Sequence, residues 1–338
     1  MSGWISEKGP LNEIILSSRI RLARNLKNTP FPTYLGKEQS AGIVKSVENS
    51  FINSPDSEYL LHNMDKTNLL DKQVLVERHL ISPELAKSNK GAVIIKKDEI
   101  ISIMINEEDH IRIQTILPGL QIMEAWRIAD EIDNKLEQNL DYAYDEKLGY
   151  LTCCPTNVGT GMRASAMVHL PALNLTGNIG KILQTVTQIG LTIRGLYGEG
   201  TEILGNLFQI SNQITLGPTE EEIIDNTNGV TNQIIDKERE ARNILLNSNR
   251  IHLEDKIWRS WGILKNAKIM STQECMNLLS DIRLGVDLEI IKDLSVSIIN
   301  EIMIETQPAG INKYANEELT PEARDILRAQ IIRKNYNS

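Results

Sequence analysis

The spacing of apolar residues along this chain changes character near residue 217. Before it, short alternating runs mix with helical stretches; after it, the helical spacing is almost continuous. Residues 12–24 read as a strand, and residues 36–53 and 69–80 as helices. Ile/Val-rich runs at 91–97, 99–106 and 110–117, separated by polar breaks, predict a meander of antiparallel strands. Residues 119–140 follow as an amphipathic helix, with Ile122, Ala125, Trp126, Ala129, Ile132 and Leu136 on one stripe. Residues 142–152 return to strand, and a Gly/Thr loop leads to another near 164–170. A helix is expected at 179–189, then strands at 191–196 and 206–213 around a glycine-rich turn. Neighbouring strands lie close in sequence, which predicts α+β, an antiparallel sheet flanked by helices, rather than a repeating βαβ order.

Helix starts punctuate the second part. Thr219 and Glu222 form a capping box for a helix running to about residue 246, and Ser271 with Glu274 forms another. Thr320-Pro321 is a third start, because proline suits the first helical position. The polar Asn247-Ser248-Asn249 places a boundary there. The expected division is a first domain over 1–247 and an all-helical C-terminal domain over 248–338.

Composition narrows the function classes. Of 338 residues, 41% are hydrophobic and 24% charged, as in an ordinary globular chain rather than a disordered one. Lys plus Arg is 36 against 45 Asp plus Glu, a net charge of −9. That balance opposes binding nucleic acid or an anionic membrane through bulk charge, though a local basic site remains compatible with it. Cys153, Cys154 and Cys275 cannot build a disulfide framework and fit a reducing compartment. The first residues have no apolar signal region, and the longest apolar runs fall far short of the ~20 residues that cross a bilayer. A soluble, cytoplasmic chain is expected, with neither nucleic acid nor membrane as a partner.

Arginine and glutamate recur beside the apolar strands. In Ser17-Ser18-Arg19-Ile20-Arg21-Leu22, a period of two turns Arg19 and Arg21 to one face and Ile20 and Leu22 into the core. Adjacent guanidinium groups repel unless an anion sits between them, and their planar forks suit phosphate; an exposed basic edge is the plainer alternative. Asn106-Glu107-Glu108-Asp109-His110-Ile111-Arg112 joins two of the apolar runs. It is either a solvated turn, or Glu107 and Glu108 face a cleft with Arg112, where ionised carboxylates can orient a cationic nucleophile and take its proton. In Cys154-Pro155-Thr156-Asn157-Val158-Gly159-Thr160-Gly161-Met162-Arg163, the glycines permit close approach of backbone to a ligand, but no Walker loop is present. Cys154 is an activated thiol or a small buried hydrophobe. Arg194-Gly195-Leu196-Tyr197-Gly198-Glu199-Gly200-Thr201 adds one arginine and one carboxylate.

Taken in order, these segments resemble the guanidino (phosphagen) kinases, over about residues 12–246. The resemblance implies transfer of the γ-phosphoryl group of ATP to a guanidinium nitrogen, with Mg2+ as cofactor. It implies that Arg19, Arg21, Arg112, Arg163 and Arg194, with Ser18 and His110, surround the nucleotide. Glu107 would hold the metal through water and Glu108 the guanidinium. Glu199 would be a second catalytic carboxylate, and Cys154 the reactive cysteine beside them. Met167 stands where creatine-type members have a histidine near adenine, and His169 is a candidate substitute.

The departures point to a branch of the superfamily. Metabolite kinases carry a helical domain before the Ser-x-Arg-x-Arg strand, whereas here that strand begins around residue 14, and a helical unit follows residue 247 instead. Both features resemble the bacterial protein-arginine kinases. So does Arg324-Asp325-Ile326-Leu327-Arg328-Ala329, in which Arg324 and Arg328 share a helical face with Asp325 one step round. The resemblance implies phosphoarginine sensing by these three residues and a homodimer through the helical domain. Its implied partners are proteins with exposed arginine, an AAA+ unfoldase-protease, a heat-shock repressor and a zinc-containing activator. A kinase of a free guanidino metabolite and a non-catalytic phosphoarginine-binding adaptor are the competing readings.

Overall fold

The computed structural model of the chain describes residues 3–52, 57–195 and 203–337. Its strands are β1 Ile15–Arg24, β2 Tyr59–Asn63, β3 Ala92–Lys96, β4 Ile101–Ile105, β5 Ile111–Pro118, β6 Tyr144–Asp145, β7 Gly149–Tyr150, β8 Met162–His169, β9 Leu191–Gly195 and β10 Leu207–Asn212. Eight of them form one sheet in the order β2-β3-β4-β5-β1-β8-β10-β9, antiparallel at each pairing. The expected meander is β3-β4-β5. The α+β architecture is as the apolar pattern predicts.

Strand alternation assigns the two faces. Ile20, Leu22, Ala164, Ala166, Ile210 and Ile113 point to one face, in a core shared with helices Lys37–Phe51, Ile122–Glu137 and Glu220–Ser248. The stripe expected on Ile122–Glu137 is there, with Ile122, Ala125, Ala129, Ile132 and Leu136 buried and Trp126 at its margin. The opposite face is covered only in part. Met64, Leu80 and Leu85 pack on Val93, Ile95 and Met104 at one end. At the other, helices after residue 249 pack on Ile116, Met167 and Leu207. The middle of that face, on β1, β5 and β8, carries the arginines.

Glu220–Ser248 begins with the full capping box, Thr219 Oγ1 accepting from Glu222 N and Glu222 Oε2 from Thr219 N. The box expected at Ser271 is half formed: Ser271 accepts from Glu274 N, but the reciprocal bond is not made. The next helix starts at Arg250, directly after the cap at Asn249. The helical unit is docked through buried polar contacts as well as its apolar core. His169 Nε2 pairs with Ser280 Oγ at 2.8 Å, and Arg283 donates to Asn12 O at 2.6 Å. Residues 142–152, expected as one strand, form instead the short hairpin β6–β7. Asp145 Oδ1 accepts from Lys147 N and Leu148 N, an Asx turn, and Gly149 has a φ of 75° that disfavours a side chain.

Arg24 ties the end of β1 to this framework. Its side chain is 1% exposed, bonds Asp133 at 2.6–2.9 Å and lies 3.5 Å from the centre of the Tyr150 ring. Removing one member of such a pair strands a buried charge. Arg24→Met is expected to lower the unfolding free energy by about 3–5 kcal/mol in denaturant titration. Lys237→Met, which breaks the exposed pair with Glu240, should leave the midpoint unchanged.

Candidate active site

By strand register, all five arginines singled out in the sequence share the half-covered face. Arg21 on β1 sits directly opposite Arg163 on β8, and Arg112 on β5 is paired with Ala23, diagonally across from Arg21. Arg19 sits two residues back on β1, with Nη2 donating to Gln209 Oε1 at 2.8 Å. Like charges on opposed strand positions repel. Arg21 shows the consequence. Burial first, then Arg19, Arg112 and Arg163, hold its pKa well below the ordinary arginine value. Its Nε is buried with no hydrogen-bond partner among the described residues. Arg163 is lowered too, by burial, then Arg194 and Arg112. Arg194, exposed at the end of β9, thereby joins the cluster from its far side. Such an assembly suits an anion, and the orphaned Nε of Arg21 is a donor that a phosphate oxygen would satisfy.

Two carboxylates close the cluster on the β4–β5 hairpin. Arg112 Nη1 donates to Glu107 Oε1 and Nη2 to Glu108 Oε2, both at 2.8 Å. Glu107 is almost wholly buried and also accepts from Ser82 Oγ at 2.6 Å, while Glu108 is 40% exposed. The hairpin is thus not wholly solvated: Glu107 is buried, and Arg112 is turned to both carboxylates. Asp109, fully buried, anchors it: Oδ1 accepts from Asn25 Nδ2 and from Cys153 N, each at 2.7 Å. Asn25 also donates to Leu151 O and accepts from His110 N. The hairpin is thus locked to the end of β1 and to the cysteine loop. Cys154 is partly buried, with Sγ 3.0 Å from Thr156 Oγ1. Neither Asn25 nor Ser82 was identifiable from the sequence, because each acts through a partner distant along the chain.

Three expectations are corrected. Ser18 is fully buried: its hydroxyl donates to Gly119 O and accepts from Gln121 N, both at 2.8 Å, so it pins β1 to the start of helix Ile122–Glu137. His110 is also fully buried, with Nδ1 accepting from Leu26 N and Nε2 against Pro30 O, which leaves no ring nitrogen for a nucleotide. His169 faces Ser280 in the contact with the helical unit, not the cleft. Met167 does line a narrow cleft that continues past Arg19, with Trp4, His79, Ile116 and Gln209. His79 there was not anticipated. Glu199 lies outside the described residues.

The C-terminal trio is divided. Arg328 is 1% exposed and donates to Thr306 O and Met270 O at 2.8 Å and to Asp325. It pins three helical segments. Arg324 and Asp325 are partly exposed. Glu77, from helix Leu69–Glu77, reaches their neighbourhood and accepts from Ala309 N and Gly310 N at 2.8 and 2.9 Å. A cavity of about 550 Å³ lies beside it, lined by Glu77, Arg78, Tyr314, Ile331 and Lys334. Among the described residues no helix is long and apolar enough to cross a membrane.

The eight-stranded antiparallel sheet flanked by helices defines the fold class. Solved structures share it: a lombricine kinase superposes with a TM-score of 0.59 at 23% identity, covering 69% of this chain and 68% of that one. A duplicated taurocyamine kinase from Schistosoma mansoni gives a TM-score of 0.61 at 22% identity, covering 78% of this chain and 38% of its own. The family model described as ATP:guanido phosphotransferase, C-terminal catalytic domain, matches residues 42–241, and the chain belongs to that family. Residues 250–338 match the protein-arginine kinase McsB C-terminal domain. Among similar curated proteins, the protein-arginine kinase of Pelotomaculum thermopropionicum is 51% identical over 99% of this chain and 96% of its own. That of Bacillus subtilis is 48% identical over 100% of this chain and 94% of its own.

Two outcomes are expected. Arg21→Met relieves repulsion in the unliganded protein while removing a phosphate donor, so the thermal midpoint without nucleotide should rise as the KM for ATP rises at least roughly tenfold. Buried His169 is held well below its ordinary pKa by burial, then Arg283 and Arg242, and burial with Arg19 pushes His79 down to about 3. As pH falls below about 6.5, the unfolded chain takes up protons that the folded one refuses, so these groups cost stability on acidification and nothing above that range. In denaturant titrations between pH 7.5 and 5, His169→Gln should lose less stability than the parent protein.

Proposed function

We propose that this chain is an ATP:protein-arginine phosphotransferase. The observation that carries the reading is similarity along the whole chain, at about half identity, to curated proteins named protein-arginine kinase. The arginine cluster on the sheet face supports it, as the seat for the nucleotide phosphates, with Arg19, Arg21, Arg112, Arg163 and Arg194 as its donors. Mg2+ would arrive on those phosphates and keep several waters. Glu107, nearly buried against Arg112 and Ser82, suits a water-mediated contact to it.

The acceptor guanidinium stays protonated far above neutral pH, and with its nitrogen lone pairs delocalised in the cation it is a poor nucleophile. Glu108, half-exposed beside the arginine cluster, would orient it and take one N–H proton. The bond between the γ-phosphorus and the leaving oxygen of ADP breaks as the N–P bond forms, and the arginines compensate the charge that develops. Glu199 would provide the second carboxylate, with Cys154 beside the guanidinium.

The rest of the reading is what the resemblance of the sequence motifs to the protein-arginine kinases implies. The working division is 1–247 for transfer and 248–338 for dimerisation and phosphoarginine sensing. Arg324 and Asp325 would face the ligand, with Arg328 fixing the helix behind them. Phosphoarginine would act allosterically and mark client proteins for an AAA+ unfoldase-protease in a bacterial stress response. A heat-shock repressor would be one substrate and a zinc-containing protein the activator, all in the cytoplasm.

Incubation with ATP, Mg2+ and an arginine-rich protein should add acid-labile phosphoryl groups on arginine, read by mass spectrometry. Gain confined to serine, threonine or tyrosine would sink the proposal. Glu108→Gln should lower kcat on the order of 10²–10⁴-fold with little change in nucleotide affinity.

A further inference from the structure

Beside the cysteine loop lies a shelf that the transfer chemistry does not use. Tyr150 N donates to Gly159 O at 2.8 Å, joining hairpin β6–β7 to that loop. A side chain on Gly159 would collide with Thr215 O at 2.1 Å and with Leu216 Cα at 2.8 Å, so residues 213–217 lie directly against the loop's other side. Thr215 Oγ1 donates to Thr156 O at 3.0 Å and to Val158 O at 2.7 Å, two and four residues from Cys154. Hairpin and segment thus both abut the cysteine loop.

Their exposed surface is apolar where solvent would favour polar residues. Tyr144 is 58% exposed, Leu148 46%, Ile214 56% and Leu216 50%. Single exposed apolar residues are ordinary, but four on two segments held against one loop, with charges beside them, point to a contact surface. Its charged residues are mostly of one sign: residues 141–150 and 213–222 expose Asp141, Asp145, Glu146, Glu221 and Glu222 against one lysine, Lys147, while Glu220 turns inward to Trp126 and Arg24. The surface adjoins the loop of Cys153 and Cys154, and Cys153 N bonds Asp109, the neighbour of Glu108, so a polypeptide that delivers a side chain to Glu108 passes this neighbourhood.

We propose that the shelf docks the client segment that carries the target arginine: an extended stretch with apolar residues flanking the arginine and a local positive charge. The inference rests on the protein-arginine kinase reading and deepens it. Apolar flanks would cover Ile214, Leu216, Leu148 and Tyr144, and the acidic residues beside them would attract basic segments and turn away acidic ones. Selection would then favour arginines in unfolded stretches, where apolar neighbours are accessible, over arginines on a folded polar surface.

The test uses the full chain and two single-arginine peptides of equal charge, one with Leu/Val flanks and one with Gly/Ser flanks. The parent protein should show a lower KM for the apolar peptide. Ile214→Ser combined with Leu216→Ser should raise that KM by roughly tenfold. The KM for ATP and the KM for the Gly/Ser peptide should stay within about twofold. Leu148→Ser, remote from the Thr215 contacts, should act in the same direction if the double variant folds poorly. Glu146→Lys with Glu221→Lys should raise KM for both peptides, with an effect that shrinks at high salt. Equal KM values for the two peptides, or serine variants that leave the apolar peptide's KM unchanged, overturn the shelf while the kinase reading stands. A change only in sedimentation behaviour would make the surface a self-association face and overturn it too. If the parent protein phosphorylates neither peptide nor any arginine-rich protein, the kinase reading falls, and this inference with it.

Discussion

Like charges held together on one face of a sheet are the constraint around which this molecule is arranged. Arg21, Arg163 and Arg112 occupy opposed or diagonal strand positions, where cross-strand repulsion works against folding. Their placement is enforced from behind. Ile20, Leu22, Ala164 and Ile113, alternating with them, are fully or almost fully buried against helices. A one-residue slip of β1 would turn that apolar set to solvent, so the arginines cannot separate without loss of the core. The cost remains visible in Arg21, with a lowered pKa and an unpartnered Nε. A bound polyanion is the natural way to offset it.

The carboxylates are positioned by a different device. Glu107 and Glu108 sit on a hairpin whose rigidity comes from Asp109, a buried acid that accepts from Asn25 and the Cys153 amide. Arg112 then grips both glutamates. The arginine and carboxylate halves of the site are therefore one hydrogen-bonded unit, with the cysteine loop attached. The same sheet face continues through Met167 and Leu207 into the core of the helical unit. Packing at that unit and the shape of the cleft past Arg19 thus share residues, which provides a physical route between the two parts of the chain.

Much of this was legible in the residues. The side of Arg19 and Arg21, the meander of β3–β5, the stripe on Ile122–Glu137 and the cap at Thr219 follow from local periodicity and stereochemistry, which act over a few residues. The errors share one cause. Ser18 and His110 belong to motif segments, yet their polar atoms are taken by Gly119, Gln121, Leu26 and Pro30, partners set by chain crossing rather than by sequence neighbours. Arg328 has the helical spacing of a ligand-facing residue and is nevertheless spent on Thr306 and Met270. Residues 142–152 have strand composition, but the Asx turn at Asp145 and the positive φ of Gly149 reverse the chain.

By itself, the sequence determined the fold class, the order of elements, and which residue types of which charge would meet, because alternation and capping are local and the motifs stand in a specific order. Tertiary structure alone decided which members of each motif reach the cleft and which become pins. It also brought Asn25, Ser82 and His79 to the site, and laid Ile214 and Leu216 beside the loop of Cys154. Those outcomes depend on strand register and on contacts between segments tens to hundreds of residues apart, where desolvation and hydrogen-bond satisfaction are settled only once the chain has closed on itself.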